Sequence, residues 1–179
     1  ANFRLENPDD DDVLVLAGDI CCLVDYHDQN DWVDKSLSLR LKQIFSDFID
    51  DCCSKFKHVI MVLGNHDYWG LTLFISNPHH FISENPFSDK SPIVFSHITS
   101  KNKNFRILSG GSVDIDGVMF VGSTLWTDLN DGDPITSIHA PMMTNDFKKI
   151  SVKEGYGTNY IKSGQWIWLN KRERWFMEN

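Results

Sequence analysis

The sequence predicts an α/β fold in which a helix joins two parallel strands, and three observations support this. The runs VLVL at residues 13–16 and HVIMVL at residues 58–63 have the apolar composition of strands buried on both faces. Between them, apolar residues recur at steps of three and four, as in an amphipathic helix. Strand, helix and strand in this order form a βαβ unit, whose two strands are parallel.

The first half of the chain supplies the elements of this unit. The first strand follows a polar segment that ends in four aspartates at residues 9–12, which we expect to be a solvated turn. Prolines divide residues 71–100 into short helical or irregular pieces. The helix is expected to bury eight apolar side chains, namely Leu37, Leu41, Ile44, Phe45, Phe48, Ile49, Cys52 and Phe56.

The second half of the chain predicts smaller elements. Residues 104–126 contain three short strands separated by two glycine-containing turns, of which Asp116-Gly117 is a strong hairpin signal. Residues 130–160 have clusters of Gly and Asp and are expected to be rich in loops. Residues 161–179 carry large apolar side chains among charges and predict a helix packed on the surface.

Length and composition define the broad class of the protein. The 179 residues, 41% of them hydrophobic, predict a single globular domain over residues 1–179. No apolar stretch reaches the length of a membrane span, so we expect no membrane partner. The formal net charge of -8 disfavours extended nucleic acid, which rewards clustered Lys and Arg. The oligomeric state is left open.

Four cysteines form two adjacent pairs, Cys21-Cys22 and Cys52-Cys53. Neighbouring cysteines rarely bridge each other, and neither pair has the C-x-x-C spacing of a zinc site. A disulfide between the two pairs is one alternative. We favour reduced, mostly buried thiols, and therefore expect a cytoplasmic protein.

Polar residues that can carry chemistry follow both predicted strands. The first strand ends in a glycine and Asp19, and a carboxylate at that point faces the crevice at the edge of the sheet. The second strand ends in Gly64-Asn65-His66-Asp67. The Asn65 amide oxygen suits a divalent cation, and the His66 imidazole can donate a proton near neutral pH. The Asp67 carboxylate can hold that imidazole in one tautomer. A simple turn would not need all four residues.

These motifs resemble those of the calcineurin-like metallophosphoesterase family, and of its small phosphohydrolase branch in particular. The similarity covers most of the chain, from about residue 12 to residue 150. It rests on LVLAGDI at residues 14–20, VLGNHDYW at residues 62–69, GVMFVGSTLWTDLN at residues 117–130 and NDFKKI at residues 145–150.

The resemblance implies an αββα sandwich of the metallo-dependent phosphatase type, with a two-metal site at one edge of its sheets. It implies that Asp19 bridges two divalent cations and that Asn65 binds the second of them. It also implies that His66 contacts a phosphate oxygen and protonates the leaving group, with Asp67 as its orienting partner. The family's chemistry is in-line attack on phosphorus by a hydroxide that the two metal ions activate. Manganese, iron, zinc, nickel or magnesium would suit such ligands.

Further motifs of the family have no counterpart in the sequence. The family opens with an Asp-x-His on a strand before Gly-Asp. Either Asn2 and Arg4 stand in those positions or, as we prefer, that strand is absent and residues 2–12 are the connection after it. The family's later His and its Gly-His-x-His find no match after residue 175. We therefore expect a sandwich that is incomplete at both ends, as in a fragment.

Other histidines are weaker candidates for the missing ligands. His79 and His80 do not end an apolar strand. His139 precedes the NDFKKI segment, whereas the family's histidine follows it. His27 lies soon after the first strand and is expected in a surface loop.

The predicted function is hydrolysis of a phosphomonoester or phosphodiester, with a small soluble phosphoester as substrate. The first alternative is a non-catalytic binding module with the same fold, motivated by the missing ligands and by four aromatic residues. Core packing is the simpler interpretation of these aromatics, which are Tyr68, Trp69, Trp126 and Trp166. The second alternative is a split enzyme that takes its missing ligands from another chain.

Overall fold

The structure, a computed structural model, describes residues 4–21, 35–70, 72–74, 101–154 and 157–178. Several predictions lie outside the described residues. They concern Cys22, His27, the side chain of Leu37, and most of residues 71–100 with His79 and His80.

The described part is a mixed α/β fold with a parallel sheet and helices, which confirms the predicted fold class. Its strands are β1 (Val13–Ala17), β2 (His58–Val62), β3 (Thr72–Phe74), β4 (Phe105–Leu108), β5 (Gly111–Ile115), β6 (Val118–Gly122), β7 (Ser151–Glu154) and β8 (Gly157–Tyr160). Its helices are α1 (Lys35–Lys55), α2 (Pro134–Met143), α3 (Asp146–Lys149) and α4 (Ser163–Glu178), with a one-turn segment at Leu129–Gly132 and a 3₁₀ turn at His66–Tyr68.

A three-stranded sheet in the order β1-β2-β4 carries the candidate site, and all its strands are parallel. β1 and β2 pair from Val13 opposite His58 to Ala17 opposite Val62. Because α1 lies between these two strands in the chain, the predicted βαβ unit is confirmed. The parallel register brings the carboxyl ends of β1 and β2 to the same edge of the sheet.

The main core includes α1 and the residues of the sheet that face it. Phe45, Ile49 and Cys52 of α1 are buried, as is Phe56 directly after it, and this confirms those predictions. The prediction for Ile44 is wrong, because its side chain is 49% exposed. Starting at Phe45, the buried residues follow one another at steps of four, three and four residues, which places them on one side of the helix. Ile44 points about 100° away from Phe45 around the helix axis.

β5 and β6 form the predicted hairpin. They pair antiparallel across a turn in which Asp116 (φ 52°) and Gly117 (φ 82°) both adopt left-handed conformations. Hairpin turns of this kind match the right-handed twist of the strands, which is why an Asp-Gly pair is a strong signal. Ile115 of the hairpin packs with Ile60 and Leu108 of the parallel sheet in a second, smaller core cluster.

Residues 130–160 are more regular than predicted. They contain α2, α3, β7 and β8, and β3 joins the last two in a second sheet of order β3-β7-β8. β3 is parallel to β7, and β7 is antiparallel to β8. These helices and strands have between 4 and 10 residues each. Hydrophobic periodicity cannot distinguish such short elements from loops, so the expectation of a loop-rich region is wrong.

α2 begins at a capping residue and contains a proline whose effect is compensated. The Asp133 side chain accepts a hydrogen bond from the backbone N–H of Thr136 at 2.7 Å and from its hydroxyl at 2.8 Å. These bonds hold the pKa of Asp133 below its ordinary value. Pro141 lacks the N–H that would bond the Ser137 carbonyl, and the Ser163 hydroxyl donates to that carbonyl instead at 2.6 Å.

The predicted C-terminal helix is confirmed as α4, which packs on the surface through one face. Trp166 and Leu169 are buried in the core, whereas Trp175 and Phe176 are more than one-third exposed. Glu173 is 2% exposed, and its carboxylate accepts the backbone N–H of Leu125 at 2.7 Å. Burial raises the pKa of this carboxyl above the ordinary glutamate value.

Cys52 and Cys53 are free thiols, as predicted for this pair. Burial raises the pKa of each thiol to about 11. In the described ranges, no helix combines the length and the apolar character that crossing a membrane requires.

Candidate active site

The loops that follow β1 and β2 touch each other through two glycines. Gly18 has a φ of +92°, and a Cβ on it would lie 2.9 Å from Gly64 Cα. A Cβ on Gly64 would lie 2.5 Å from the backbone nitrogen of Asp19. Glycine at both positions therefore lets the two backbones pack together. Asp19 itself has a φ of 56°, a left-handed conformation that Asp tolerates better than most residues.

Asp19 and His66 meet at this contact. The backbone N–H of His66 donates to Asp19 Oδ1 at 3.0 Å, and His66 Nδ1 lies 3.6 Å from Asp19 Oδ2. The second separation is too long for a hydrogen bond. The side chains are 45% exposed for Asp19 and 50% exposed for His66, so both are accessible to a ligand.

Trp69 packs against the imidazole of His66. The two ring centroids are 4.0 Å apart, and the ring planes are inclined by 45°. The 3₁₀ turn at His66–Tyr68 creates this contact, because residues three apart lie on the same side of such a turn. The indole therefore limits the positions that the imidazole can occupy.

Asp67 is placed differently from the prediction. Its carboxylate is fully buried, and Oδ2 accepts the backbone N–H groups of Gly64 at 2.8 Å and Asp19 at 3.0 Å. Oδ1 accepts the backbone N–H of Cys21 at 2.8 Å. The carboxylate beside the His66 ring is that of Asp19, so Asp67 is not the orienting partner of the imidazole.

The bonds of Asp67 instead tie the loop after β1 to the loop after β2. A short 3₁₀ turn points this side chain inward, where three backbone donors converge on it. Burial raises the pKa of the Asp67 carboxyl, although the bonds from Gly64, Cys21 and Asp19 act in the opposite direction.

Asn65 is oriented by a residue that the sequence analysis missed. Its Nδ2 donates to Asp146 Oδ1 at 2.9 Å and to Oδ2 at 3.0 Å. Asp146 is 2% exposed, and it also accepts the Nε1–H of Trp69 at 2.6 Å and the hydroxyl of Thr144 at 2.6 Å. Because the Asn65 nitrogen faces Asp146, the Asn65 Oδ1 atom faces away from it.

Asp146 lies 81 residues after Asn65, and no local pattern connects the two. The signal that could have identified it is the NDFKKI segment, in which Asp146 is the first residue of α3. That segment carries the family resemblance, but a single Asp at the start of a short helix has no chemistry of its own until its neighbours are known.

Three of the aromatic residues considered for a function are buried. Tyr68, Trp126 and Trp166 are 1%, 3% and 6% exposed, which confirms that they pack in the core. The Trp126 ring lies 5.4 Å from that of Tyr68 and 5.7 Å from that of Trp166. His139 is exposed on α2.

Comparison with known proteins identifies the family. The chain matches the family model of calcineurin-like phosphoesterases over residues 2–174, and it belongs to this family. Membership makes the protein a phosphoesterase hydrolase by family. No curated protein and no solved structure matches the chain.

The family generally uses divalent metal ions, and the donors at the two strand ends are of a type that fits such ions. Asp19 offers a half-exposed carboxylate and Asn65 offers an amide oxygen, and both are hard oxygen donors. Within the described ranges, no group of three or more His, Cys, Asp or Glu side chains could hold a metal ion. Asp19 and Asn65 are the two candidate ligands that the sequence analysis named.

Proposed function

We propose that the protein is a metal-dependent phosphoesterase that hydrolyses a phosphomonoester or phosphodiester with the help of two divalent cations. One observation carries the proposal: the backbone N–H of His66 donates a hydrogen bond to Asp19 Oδ1 at 3.0 Å. This bond holds a candidate metal ligand and a candidate acid together at the carboxyl edge of a parallel sheet, where functional residues commonly gather.

Each residue has a distinct role in the proposed reaction. Asp19 and Asn65 would hold the cations, which when bound neutralise phosphate charge and promote attack by water. His66 would contact a phosphate oxygen and donate a proton to the leaving oxygen. Asp19 lies on the Nδ1 side of the imidazole, so Nε2 is the nitrogen that is available to the substrate. Asp67 would keep the two loops together.

We propose a small soluble phosphoester as the substrate, because a net charge of -8 does not favour long nucleic acids. We also propose a cytoplasmic location, which the free thiols of Cys52 and Cys53 support. The alternative of a non-catalytic binding module loses part of its motivation, since three of the four aromatics that suggested it lie in the core.

The test is hydrolysis of an aryl phosphodiester and an aryl phosphomonoester by the full-length protein with added Mn²⁺. His66→Ala is expected to lower kcat by about 10²- to 10⁴-fold, because it removes the proton donor. His139→Ala is the matched control, because it removes another exposed histidine, on α2, and should leave the rate unchanged. The proposal fails if no divalent metal supports turnover, or if His66→Ala is as active as the parent protein.

A further inference from the structure

The Asn65 amide and the Trp69 indole converge on one buried carboxylate. Asp146 Oδ1 accepts from Asn65 Nδ2 at 2.9 Å and from Trp69 Nε1 at 2.6 Å. Asp146 Oδ2 accepts from Asn65 Nδ2 at 3.0 Å and from the Thr144 hydroxyl at 2.6 Å. A buried carboxylate with several donors on both oxygens is held in one orientation, and it orients its donors in turn.

We propose that Asp146 is a positioning residue that sets the metal affinity of the site through Asn65. This inference rests on the proposed function, because it takes Asn65 as a ligand of a divalent cation. An asparagine amide can present either its oxygen or its nitrogen to a neighbour, and only the oxygen binds such a cation. Both Asp146 oxygens lie within hydrogen-bond distance of the Asn65 nitrogen, so the nitrogen faces Asp146 and the Asn65 oxygen faces away from it.

Asp146 is also connected through Trp69 to His66, the candidate acid. The indole that donates to Asp146 lies 4.0 Å, centroid to centroid, from the His66 ring. Holding the indole in place restricts the imidazole that packs against it. One buried side chain thus supports both a candidate metal ligand and the candidate proton donor, in the way that outer carboxylates support metal ligands in general.

The proposal is tested by Mn²⁺ binding to the full-length protein, with free Mn²⁺ measured by electron paramagnetic resonance. In Asp146→Asn the introduced amide can donate to Asn65 Oδ1, which turns the Asn65 nitrogen toward the cation. We expect Mn²⁺ affinity to fall by about 10- to 100-fold. Glu173→Gln is the matched control, because Glu173 is also 2% exposed but bonds to the backbone of Leu125, and Mn²⁺ affinity should not change.

A double variant, Asn65→Asp with Asp146→Asn, tests the direction of the hydrogen bond. The introduced amide can then donate to the introduced carboxylate, whose second oxygen remains available to the cation. We expect Mn²⁺ affinity to recover in the double variant. The unfolding midpoint of every variant is measured in parallel, so that a loss of binding is not confused with a loss of folding.

The outcomes separate this inference from the proposed function. If the parent protein binds Mn²⁺ and Asp146→Asn binds it equally well, the positioning role is overturned and the proposed function stands. A loss that the double variant does not recover also overturns that role. If the parent protein binds none of Mn²⁺, Fe²⁺, Zn²⁺, Ni²⁺ and Mg²⁺, both proposals are overturned.

A measurement on the parent protein applies if Asp146→Asn does not fold. The Asn65 side-chain NH₂ proton that faces Asp146, assigned by NMR through its loss in Asn65→Asp, is expected to exchange slowly with solvent because it bonds to a buried carboxylate. Rapid exchange of both Asn65 NH₂ protons would overturn the inference.

Discussion

Replacing Gly64 with alanine would separate the two loops that carry the candidate site. The added Cβ would lie 2.5 Å from the Asp19 backbone nitrogen and 2.9 Å from Asp19 Cγ, whereas real Cβ contacts are essentially never shorter than 3.0 Å. To increase the first distance from 2.5 Å to 3.0 Å, the Asp19 backbone must move by at least 0.5 Å relative to residue 64. Catalytic groups must keep their positions within about 0.5 Å, and a misplacement of about 1 Å costs about 100-fold in rate.

We therefore expect Gly64→Ala to lower kcat/KM for phosphoester hydrolysis by about 10- to 100-fold. The crowding should also lower the free energy of unfolding, measured in urea, by about 1–3 kcal/mol. Gly111→Ala is the matched control, since the Cβ that it would add has no heavy atom of the described residues within 4 Å apart from those of its chain neighbours, and kcat/KM should not change. If Gly64→Ala keeps the parent's kcat/KM and stability, the argument from the close approach of the two loops is refuted.

Two further predictions concern buried carboxylates. Asp67→Asn replaces one acceptor oxygen with an NH₂ group, which would face backbone N–H groups and could not accept their hydrogen bonds. The free energy of unfolding should therefore fall by about 1–3 kcal/mol. An unchanged urea midpoint would contradict the role of Asp67 between the loops. Burial raises the pKa of Glu173, so the folded state binds the proton of this carboxyl more tightly than the unfolded state does. The stability that the bound proton contributes is lost as pH rises through the folded-state pKa. Gln at this position does not titrate, so the variant does not lose this stability. The unfolding free energy of Glu173→Gln minus that of the parent should therefore rise as pH increases above the ordinary glutamate pKa. A pH-independent difference would refute this assignment.

The proximity of Asp19 and His66 could be predicted because it depends on short, regular patterns. Two apolar runs separated by a helical pattern form a βαβ unit, and its parallel strands end at the same edge. Because β1 and β2 also pair directly, the residues that follow them are neighbours. The Asp116-Gly117 hairpin could be predicted equally well, because its turn requires two left-handed backbone conformations that few other residue pairs adopt readily.

The role of Asp67 could not be predicted, because it depends on which of several adjacent polar side chains turns inward. His66 and Asp67 are neighbours in the sequence, yet the first is half exposed and the second is fully buried. The 3₁₀ turn and the contact between the two glycine-containing loops decide this difference, and both are tertiary features. Asp146 was missed for a related reason, since only the folded chain brings it to Asn65.

Residues 130–160 show how tertiary contacts override local signals. A proline such as Pro141 normally disfavours the helical turn that contains it, because it has no N–H to donate to the carbonyl four residues earlier. Here the Ser163 hydroxyl from α4 donates to that carbonyl, which removes much of the cost of the missing bond. A sequence pattern confined to α2 contains no information about this partner.

The central claim is that Asp19 and Asn65 provide oxygen ligands for divalent cations at the joined ends of β1 and β2. Anomalous X-ray diffraction from crystals of the full-length protein grown with Mn²⁺ tests it most directly. We expect an anomalous peak about 2.0–2.6 Å from an Asp19 carboxylate oxygen and from Asn65 Oδ1. Anomalous peaks only at other residues, in crystals of protein that binds Mn²⁺ in solution, would contradict the claim.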